Sequence, residues 1–335
     1  MSKSVEEIAR ETGFSITTVR LIIYGQAEKY RISAKTTKRI EDYIALHGYS
    51  INHAARSLKL KRSETIGFVV PDLANPFFAR LMAALEILCR KRNLLLLTVA
   101  SHENPELEVR AIDNLLARGV DGLVVAPCQA ATTLRQAKAA KAGVAIVMLD
   151  RDYSPALYPT VLSDNYQAGQ KLTRKMLREG GGACHFLCGR AESPSIQDRI
   201  RGFAAACEKK RIADSAQLIR RDAEDSALAG RKMMYALIDS LQRPPPAFMC
   251  SSLLVLEGAL QQIKSQVGRI DKDILIGTFD DHTMLDLLPN RVLSIRQNEA
   301  ALAKQVFERL IAPKKRSKGA VPRDVVPSEL IKRNL

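Results

Sequence analysis

The sequence predicts an α/β protein in which a small all-α N-terminal part precedes two lobes built on doubly wound parallel sheets. Three observations predict this class. From about residue 65 onward, short β-rich apolar runs alternate with helical segments, a pattern typical of parallel sheets covered by helices. The first 48 residues contain three helical patterns. A length of 335 residues suits one small module followed by two lobes of ordinary size.

The segment Val5 to Gly25 predicts two short helices joined by a tight turn. Ser4 and Glu7 form an S-x-x-E capping box that begins the first helix. Gly13 tolerates the left-handed conformation that a sharp turn needs, and a serine can then cap the second helix. This helix buries one side and turns the other outward, with Val19, Ile22 and Ile23 inside and Ile16, Thr17 and Arg20 outside. Such a pair fits the major groove of DNA, although any capped helical hairpin gives part of the pattern.

A third helix is predicted from Ser33, with Gly48 at its end in a position that favours a left-handed cap. Its buried side would carry Ile40, Tyr43 and Ile44. A short helix-forming piece at residues 49–59, YSINHAARSLK, leads into a strand-like run at 66–71.

The charge of the chain indicates a polyanionic partner. The formal net charge is +15, and residues 1–62 carry twelve Lys or Arg against six Asp or Glu. Basic side chains that neutralise phosphates release counterions, so binding should weaken steeply as salt rises. A high charge can also serve only solubility.

The composition argues against several other classes of protein. No secretory leader precedes the first helix, and no apolar run approaches the roughly 18 to 20 residues that span a bilayer. We therefore expect a cytoplasmic protein with no membrane partner. The six cysteines contain no C-x-x-C pair, which predicts reduced core thiols rather than a metal site. No cofactor is expected.

The α/β region offers eight strand candidates, at residues 66–70, 94–100, 122–126, 145–149, 183–188, 247–250, 274–278 and 292–296. Helices are predicted from Asn75-Pro76 to about Arg92 and from Pro105 to Arg118-Gly119. The polar, turn-rich run from Asp150 to Pro155 is expected to be the first crossing between the lobes.

Taken together, the motifs resemble the LacI/GalR family of bacterial repressors. They are a helix-turn-helix that ends near a glycine, a Y-x-x-N-x-x-A-R-x-L hinge from Tyr49, and an I-G-x-x-x-P first strand from Ile66. The resemblance continues to Pro327-Ser328-Glu329-Leu330-Ile331, so it covers essentially the whole chain. It implies a helix-turn-helix DNA-binding domain at 1–49 and a hinge helix and linker at 50–62. The remainder, 63–335, would be a two-lobe, periplasmic-binding-protein-like core that binds an effector, dimerises and crosses between its lobes three times.

The resemblance also implies a homodimer on a pseudopalindromic operator, with recognition helices in successive major grooves and paired hinge helices opening the minor groove. Arg20 could bind a guanine bidentately, although a phosphate contact is the alternative. Leu58 matches the family's hinge leucine, an apolar wedge between base pairs, although it could instead pack on Ala54 and Ala55. The predicted DNA contacts are Ser15, Ile16, Thr17, Arg20, Asn52, Ala55, Arg56, Leu58 and Lys59.

A cleft between two doubly wound sheets is a natural small-molecule site, because strand carboxyl ends and helix N-termini converge there. Carboxylates, amides and arginine bind sugar hydroxyls, and phenylalanine stacks on a ring. Arg199 and Asp280 match the family's R-x-x-G-F and F/Y-D-D motifs, whereas Asn75 could be only a turn or cap residue. The predicted ligand contacts are Leu73, Asn75, Phe77, Asp150, Arg199, Ser252, Asp280 and Gln297.

The chain departs from the family pattern at three places. Tyr24 replaces the usual asparagine, Ile51 the usual hinge proline, and Ser252-Leu253 the usual Asn-Asp of the second lobe. The long segment Gly25 to Ser33 and the run Phe279-Asp280-Asp281-His282 resemble the sucrose-operon and fructose-responsive repressors. This resemblance suggests fructose or a fructose phosphate as the effector.

The sequence therefore predicts a transcriptional repressor of sugar-utilisation genes, controlled by a small sugar or sugar phosphate. The alternative is a transport-type sugar-binding protein, which would need an export signal and no DNA-binding module. An enzyme is not expected, because the chain has no phosphate-binding G-x-x-x-x-G-K-[ST] loop, G-x-S-x-G elbow or metal-ligand set. Asp280, Asp281 and His282 could form an acid/base group, yet adjacent positions rarely aim three side chains at one atom.

Overall fold

The computed structural model describes residues 3–49, 62–128, 143–153, 157–180, 184–212, 214–311 and 321–334. The chain divides into two compact units, Met1–Glu64 and Thr65–Leu335. The predicted hinge helix falls almost wholly on residues 50–61, which lie outside the described part. Within the described part, no helix is long and apolar enough to cross a bilayer.

The first unit contains three helices, α1 (Val5–Thr12), α2 (Ile16–Ile23) and α3 (Ala34–His47). Their starts confirm the predicted caps. The capping box between Ser4 and Glu7 is complete, and the next two caps each accept a hydrogen bond from the backbone N–H three residues on. Gly13 ends α1 with a φ of +79°. The three helices close around one small core of Ile8, Ala9, Val19, Ile22 and Ile40.

Gly48 ends α3 differently from the prediction. Its φ is +73°, which favours glycine, but its ψ of 157° is extended rather than left-handed helical. The chain therefore leaves α3 in an extended direction, and the Gly48 carbonyl accepts a hydrogen bond from the Lys3 N–H at 3.0 Å. The predicted left-handed cap is wrong because the backbone pairs with the N-terminus instead of closing a further turn.

The second unit contains two six-stranded sheets, which define its two lobes. The first lobe has the strand order β11-β5-β4-β3-β1-β2, and all of its pairs are parallel. Its strands are β1 (Thr65–Val70), β2 (Leu95–Ala100), β3 (Gly122–Val125), β4 (Ala145–Leu149), β5 (Thr160–Ser163) and β11 (Arg323–Val326). Helices α4 (Pro76–Arg90) and α10 (Glu299–Ile311) cover one face, and α5 (Pro105–Ala117) covers the other.

The second lobe has the strand order β12-β10-β9-β8-β6-β7, with β12 antiparallel at one edge. Its strands are β6 (His185–Cys188), β7 (Ile219–Arg221), β8 (Ala247–Cys250), β9 (Leu275–Phe279), β10 (Val292–Arg296) and β12 (Glu329–Arg333). Helices α6 (Asn165–Glu179) and α7 (Pro194–Lys209) pack on one face, and α8 (Ala227–Leu241) and α9 (Leu253–Val267) on the other. Both lobes are thus doubly wound, as predicted, and their strands follow the same order.

The chain crosses between the lobes three times, as the family resemblance implies. The crossings follow β5, β10 and β11, which lead into α6, α10 and β12 respectively. The predicted first crossing at Asp150–Pro155 is wrong. Strand β4 is followed by β5 in the same sheet, with Met148 paired to Thr160, so the chain stays in the first lobe until residue 163.

All eight predicted strands are confirmed within one or two residues. The four additional strands, β5, β7, β11 and β12, have three to five residues each, and three of them are rich in charged residues. Because such runs lack a clear apolar pattern, sequence periodicity does not reveal them.

Candidate functional site

The outward face of α2 is the candidate DNA-binding surface. Ser15 and Thr17 are exposed and Ile16 is 41% exposed, whereas Val19 on the other face is fully buried. Arg20 is half-buried, and its guanidinium donates to a carboxylate oxygen of Glu6 on α1 at 3.1 Å. An exposed ion pair of this kind is weak and can exchange for another anion.

Two tyrosines next to this face were not among the predicted DNA contacts. Tyr24 ends α2 and is 52% exposed, and Tyr30 in the following loop is 53% exposed. The predicted hinge contacts lie outside the described residues. They are Asn52, Ala55, Arg56, Leu58 and Lys59.

A polar pocket lies between the two lobes of the second unit, at the carboxyl ends of the strands. Seven of the eight predicted ligand residues line it: Asn75, Phe77, Asp150, Arg199, Ser252, Asp280 and Gln297. Leu73 is not in this lining. Its side chain is 44% exposed, in a turn where Asp72 accepts the Ala74 N–H, so that prediction is not supported by its position.

Arg199 is held rigidly at the base of the pocket. Its guanidinium donates to the Asn165 side-chain oxygen at 2.8 Å and to the Ser251 carbonyl at 2.6 Å. It also lies 4.2 Å from the ring centroid of Phe279, a favourable cation–π geometry. The side chain is therefore ordered before any ligand arrives.

Two glycines explain why Arg199 reaches this place. A Cβ on Gly169 of α6 would lie 2.6 Å from the Arg199 carbonyl, and a Cβ on Gly202 of α7 would overlap the backbone of α6. The absence of both Cβ atoms lets the two helices approach closely. The approach places Arg199 beside Asn165, at the start of α6.

Asp280 and Asp150 occupy matching places in the two lobes. Each follows the fourth strand of its lobe, β9 or β4, and each has a φ of +66°. Asp280 accepts a hydrogen bond from the Gln297 amide at 2.6 Å, and Gln297 in turn accepts one from the Ser163 hydroxyl. This chain of hydrogen bonds connects two of the interlobe crossings to the pocket.

Burial raises the pKa of two carboxyl groups in the pocket, Asp150 and Asp225. The cations of Arg151 and Arg199 oppose this effect only in part. Asp225 also accepts a hydrogen bond from the Ser252 hydroxyl at 2.6 Å, and the same hydroxyl caps α9. The pocket thus holds acidic groups whose charge is costly until a ligand hydrogen-bonds to them.

Asp281 turns away from the pocket. It accepts hydrogen bonds from Ser294, Arg296 and Arg333 at 2.6 to 3.0 Å. Burial acts to raise the pKa of Asp281, but these hydrogen bonds outweigh it and the pKa lies below its usual value. His282 instead caps the 3-10 turn Thr283–Leu287. The structure therefore separates the three groups of the considered Asp280-Asp281-His282 acid/base cluster.

Eight residues that line the pocket are not among the predicted ligand contacts, and they include Phe78, Arg151, Arg190 and Asp225. Arg151 donates two hydrogen bonds to the Glu103 carboxylate, at 2.7 and 2.8 Å. Burial acts to lower the pKa of Arg151, but the pairing with Glu103 outweighs it and raises that pKa. Arg151 directly follows the predicted contact Asp150 in the sequence, whereas no motif in the sequence near Asp225 indicates a ligand contact.

The cysteines are buried free thiols, which confirms the predicted core role. Burial raises the pKa of Cys89 and Cys207 to about 11. Among the described residues, no group of three or more His, Cys, Asp or Glu side chains could hold a metal ion.

Comparison with known proteins connects both surfaces to one family. The family described as "Periplasmic binding protein domain" matches residues 66–312. The sucrose operon repressor of Klebsiella pneumoniae is 30% identical over 308 residues, which cover 92% of this chain and 91% of that protein. The chain belongs to the LacI/GalR family. It is a DNA-binding transcriptional regulator and not an enzyme.

Other LacI/GalR relatives agree with this assignment. The fructose operon regulatory protein of Vibrio cholerae serotype O1 is 29% identical over 300 residues, 90% of each chain. The Cra dual regulator of Pseudomonas putida, solved in complex with fructose 1-phosphate, has a TM-score of 0.73 at 27% identity, over 81% of this chain and 98% of that one. A lac repressor dimer bound to operator has a TM-score of 0.82 at 21% identity over 99% and 98%, a likeness of fold alone.

Proposed function

We propose that this LacI/GalR regulator represses sugar-utilisation genes and that fructose or a fructose phosphate, bound between its lobes, controls its affinity for a pseudopalindromic operator in the cytoplasm. The observation that carries this proposal is the pocket itself. Side chains from both lobes meet there, with Asp150 on one side and Arg199 and Asp280 on the other. A ligand that contacts both sides prefers the arrangement of lobes that it bridges.

The chemistry of the lining supports a polyhydroxylated ligand. Three carboxyl groups, those of Asp150, Asp225 and Asp280, can accept hydrogen bonds from hydroxyls. Phe77 and Phe78 offer an apolar face for a sugar ring. Two further arginines, at positions 151 and 190, supply the positive charge that a phosphorylated sugar would need.

Control of DNA binding follows from the ligand's differential affinity for the two arrangements of the lobes. A coupling free energy of about 1 to 3 kcal/mol would change operator affinity by roughly 5- to 150-fold. Ser15, Ile16, Thr17 and Arg20 on the exposed face of α2 are the proposed major-groove contacts. The hinge residues Asn52, Ala55, Arg56, Leu58 and Lys59 are the proposed minor-groove contacts.

An apolar surface formed mainly by the second lobe supports a homodimer. A cavity of about 320 Å³ is lined mainly by α9 and the turn after β9, including Leu253, Leu260 and Leu285. Met284 in its lining and Leu287 in the same turn are 63% and 83% exposed. An exposed apolar patch rimmed by polar residues is typical of a subunit interface, and a two-fold axis would pair it with itself.

Calorimetry with fructose, fructose 1-phosphate, sucrose and glucose tests the effector. We expect heat of binding with a fructose compound and none with glucose. Absence of heat from both fructose compounds would exclude the fructose assignment, while operator binding in a gel shift would still test the regulatory role separately.

A further inference from the structure

A basic groove lies on the outer surface of α6 and α7, the helices that cover one face of the second lobe. Its volume is about 510 Å³. Among the described residues, its lining contains seven cationic side chains and no carboxylate. These side chains, which define the basic groove, are Lys171, Arg174, Lys175, Arg178, Lys209, Lys210 and Lys332. Neither the DNA-binding surface nor the sugar pocket uses any of them.

Four of the seven cations form a single row on α6. Positions 171, 174, 175 and 178 have the spacing of three and four residues that places side chains on one face of a helix. Like charges at this spacing repel one another and weaken the helix. A helix face whose only role is to be soluble does not require a row of like charges, because cations and carboxylates can alternate on such a face.

Such alternation occurs on other helices of this chain. Lys38 pairs with Asp42, Arg90 with Glu86, and Lys304 with Glu308, each four residues apart. Glu179, which is not part of the lining, pairs with Lys175 and lies 3.6 Å from Arg178. The other five cations form no ion pair with a described residue. The basic groove therefore concentrates positive charge that its own surroundings do not balance.

The floor of the basic groove is apolar. Ala206 of α7 is buried and Leu330 of β12 is half-buried, and both belong to the lining. Lysine and arginine stems extend this apolar surface while their charges stay in water. A DNA duplex presents phosphates on a convex surface and has no flexible apolar side chain to place on such a floor.

We infer that the basic groove binds an acidic segment of a partner protein, with carboxylates on the cations of α6 and α7 and an apolar side chain on Leu330. This surface would let the regulator respond to another protein independently of the sugar pocket. The inference does not depend on the proposed effector.

The test uses the full-length protein and a fluorescent synthetic peptide that is rich in aspartate and glutamate, with leucine at its centre. Fluorescence anisotropy measures binding. We expect the double variant Arg174→Glu/Lys210→Glu to lose about tenfold or more in affinity. The matched control Arg243→Glu/Lys272→Glu changes the net charge equally at two exposed positions outside the basic groove, and it should bind like the wild type. No binding by the wild type, or an equal loss in both variants, would overturn the inference.

Two further measurements separate the alternatives. A peptide with asparagine in place of leucine should bind several-fold more weakly, and an unchanged affinity would remove the role of Leu330. Non-specific duplex DNA should bind both variants equally, so a greater loss of DNA affinity in the groove variant would assign the basic groove to nucleic acid instead.

The groove variant should fold, because Arg174→Glu places a carboxylate four residues before Arg178 and relieves repulsion on α6.

Discussion

Arg190 of the second lobe forms an ion pair with Glu103 of the first lobe, with 3.0 Å between the guanidinium and the carboxylate. The same guanidinium donates to the Cys128 carbonyl at 3.2 Å. Glu103 also holds Arg151, so one carboxylate joins an arginine from each lobe at the edge of the pocket. This bridge adds to the three chain crossings a contact that can break when the lobes separate.

Arg190→Gln should therefore shift the unliganded protein toward more open arrangements and weaken effector binding several-fold. Small-angle X-ray scattering would show a larger radius of gyration. Glu299→Gln is the matched control, since Glu299 pairs with Arg80 at 2.7 Å within the first lobe. Equal radii of gyration for Arg190→Gln and the wild type would show that the pair does not restrain the lobes.

Asp225→Asn should raise the free energy of unfolding at neutral pH while weakening the response to sugar. Burial raises the folded-state pKa of Asp225 above its unfolded value. The wild type therefore loses stability as pH rises from the ordinary aspartate pKa of about 3.9 toward the raised value. Denaturant unfolding across this range should show the advantage of the variant growing with pH and vanishing at lower pH. An advantage that shrinks as pH rises would contradict the burial effect.

Asp281→Asn should behave in the opposite way. The pKa of Asp281 is lowered, so its contribution to stability is complete above the ordinary carboxyl pKa and is lost as pH falls through the lowered value. Loss of hydrogen bonds to charged partners should cost about 1.5 to 3 kcal/mol at neutral pH. Asp286→Asn serves as the control, because Asp286 is an exposed partner of Arg333 and should matter little. Similar losses for both variants would refute the importance of the buried network.

Arg199→Lys should lower the affinity for the effector at least tenfold, since a lysine cannot satisfy both Asn165 and Ser251 in the same geometry. Operator binding without ligand should remain. Calorimetry and gel shifts measure the two properties separately. A variant that responds at the normal sugar concentration would exclude Arg199 from the ligand site.

Arg20→Ala should weaken operator binding by about 1 to 3 kcal/mol and relax the preference at one base pair. Glu6→Gln removes the intramolecular partner of Arg20 and controls for that pairing. Binding-site selection on randomised operators gives the preference directly. If sequence preference were retained in Arg20→Ala, Arg20 would contact only the backbone.

Local chemistry made the helix starts predictable from the sequence. The caps Ser4, Ser15, Ser33 and Asn75 each hydrogen-bond to an N–H within three residues, so a short stretch of sequence contains the whole interaction. The eight apolar strands were predictable for the same reason, because their pattern is contained in a few consecutive residues.

Long-range pairing could not be predicted in this way. Asp225 enters the pocket only because β7 pairs with β6 and α8 begins beside α9, and the Glu103–Arg190 pair joins residues that no local pattern connects. The position of the first crossing was predicted wrongly because strand β5, with only four residues, is too short to show a recognisable strand pattern in the sequence. Arg199 and Asp280 were found through their motifs, but the hydrogen bonds that Arg199 donates to Asn165 and Ser251 could not be predicted from those motifs.

The close contact of α6 and α7 at Gly169 and Gly202 means that sensitivity to the effector can be altered from outside the pocket. An alanine methyl group at either glycine would push the two helices apart and displace the guanidinium of Arg199. The side chains that contact the sugar would themselves be unchanged. Mutations that abolish the response to the effector should therefore map to the contact between these two helices as well as to the residues that bind the ligand.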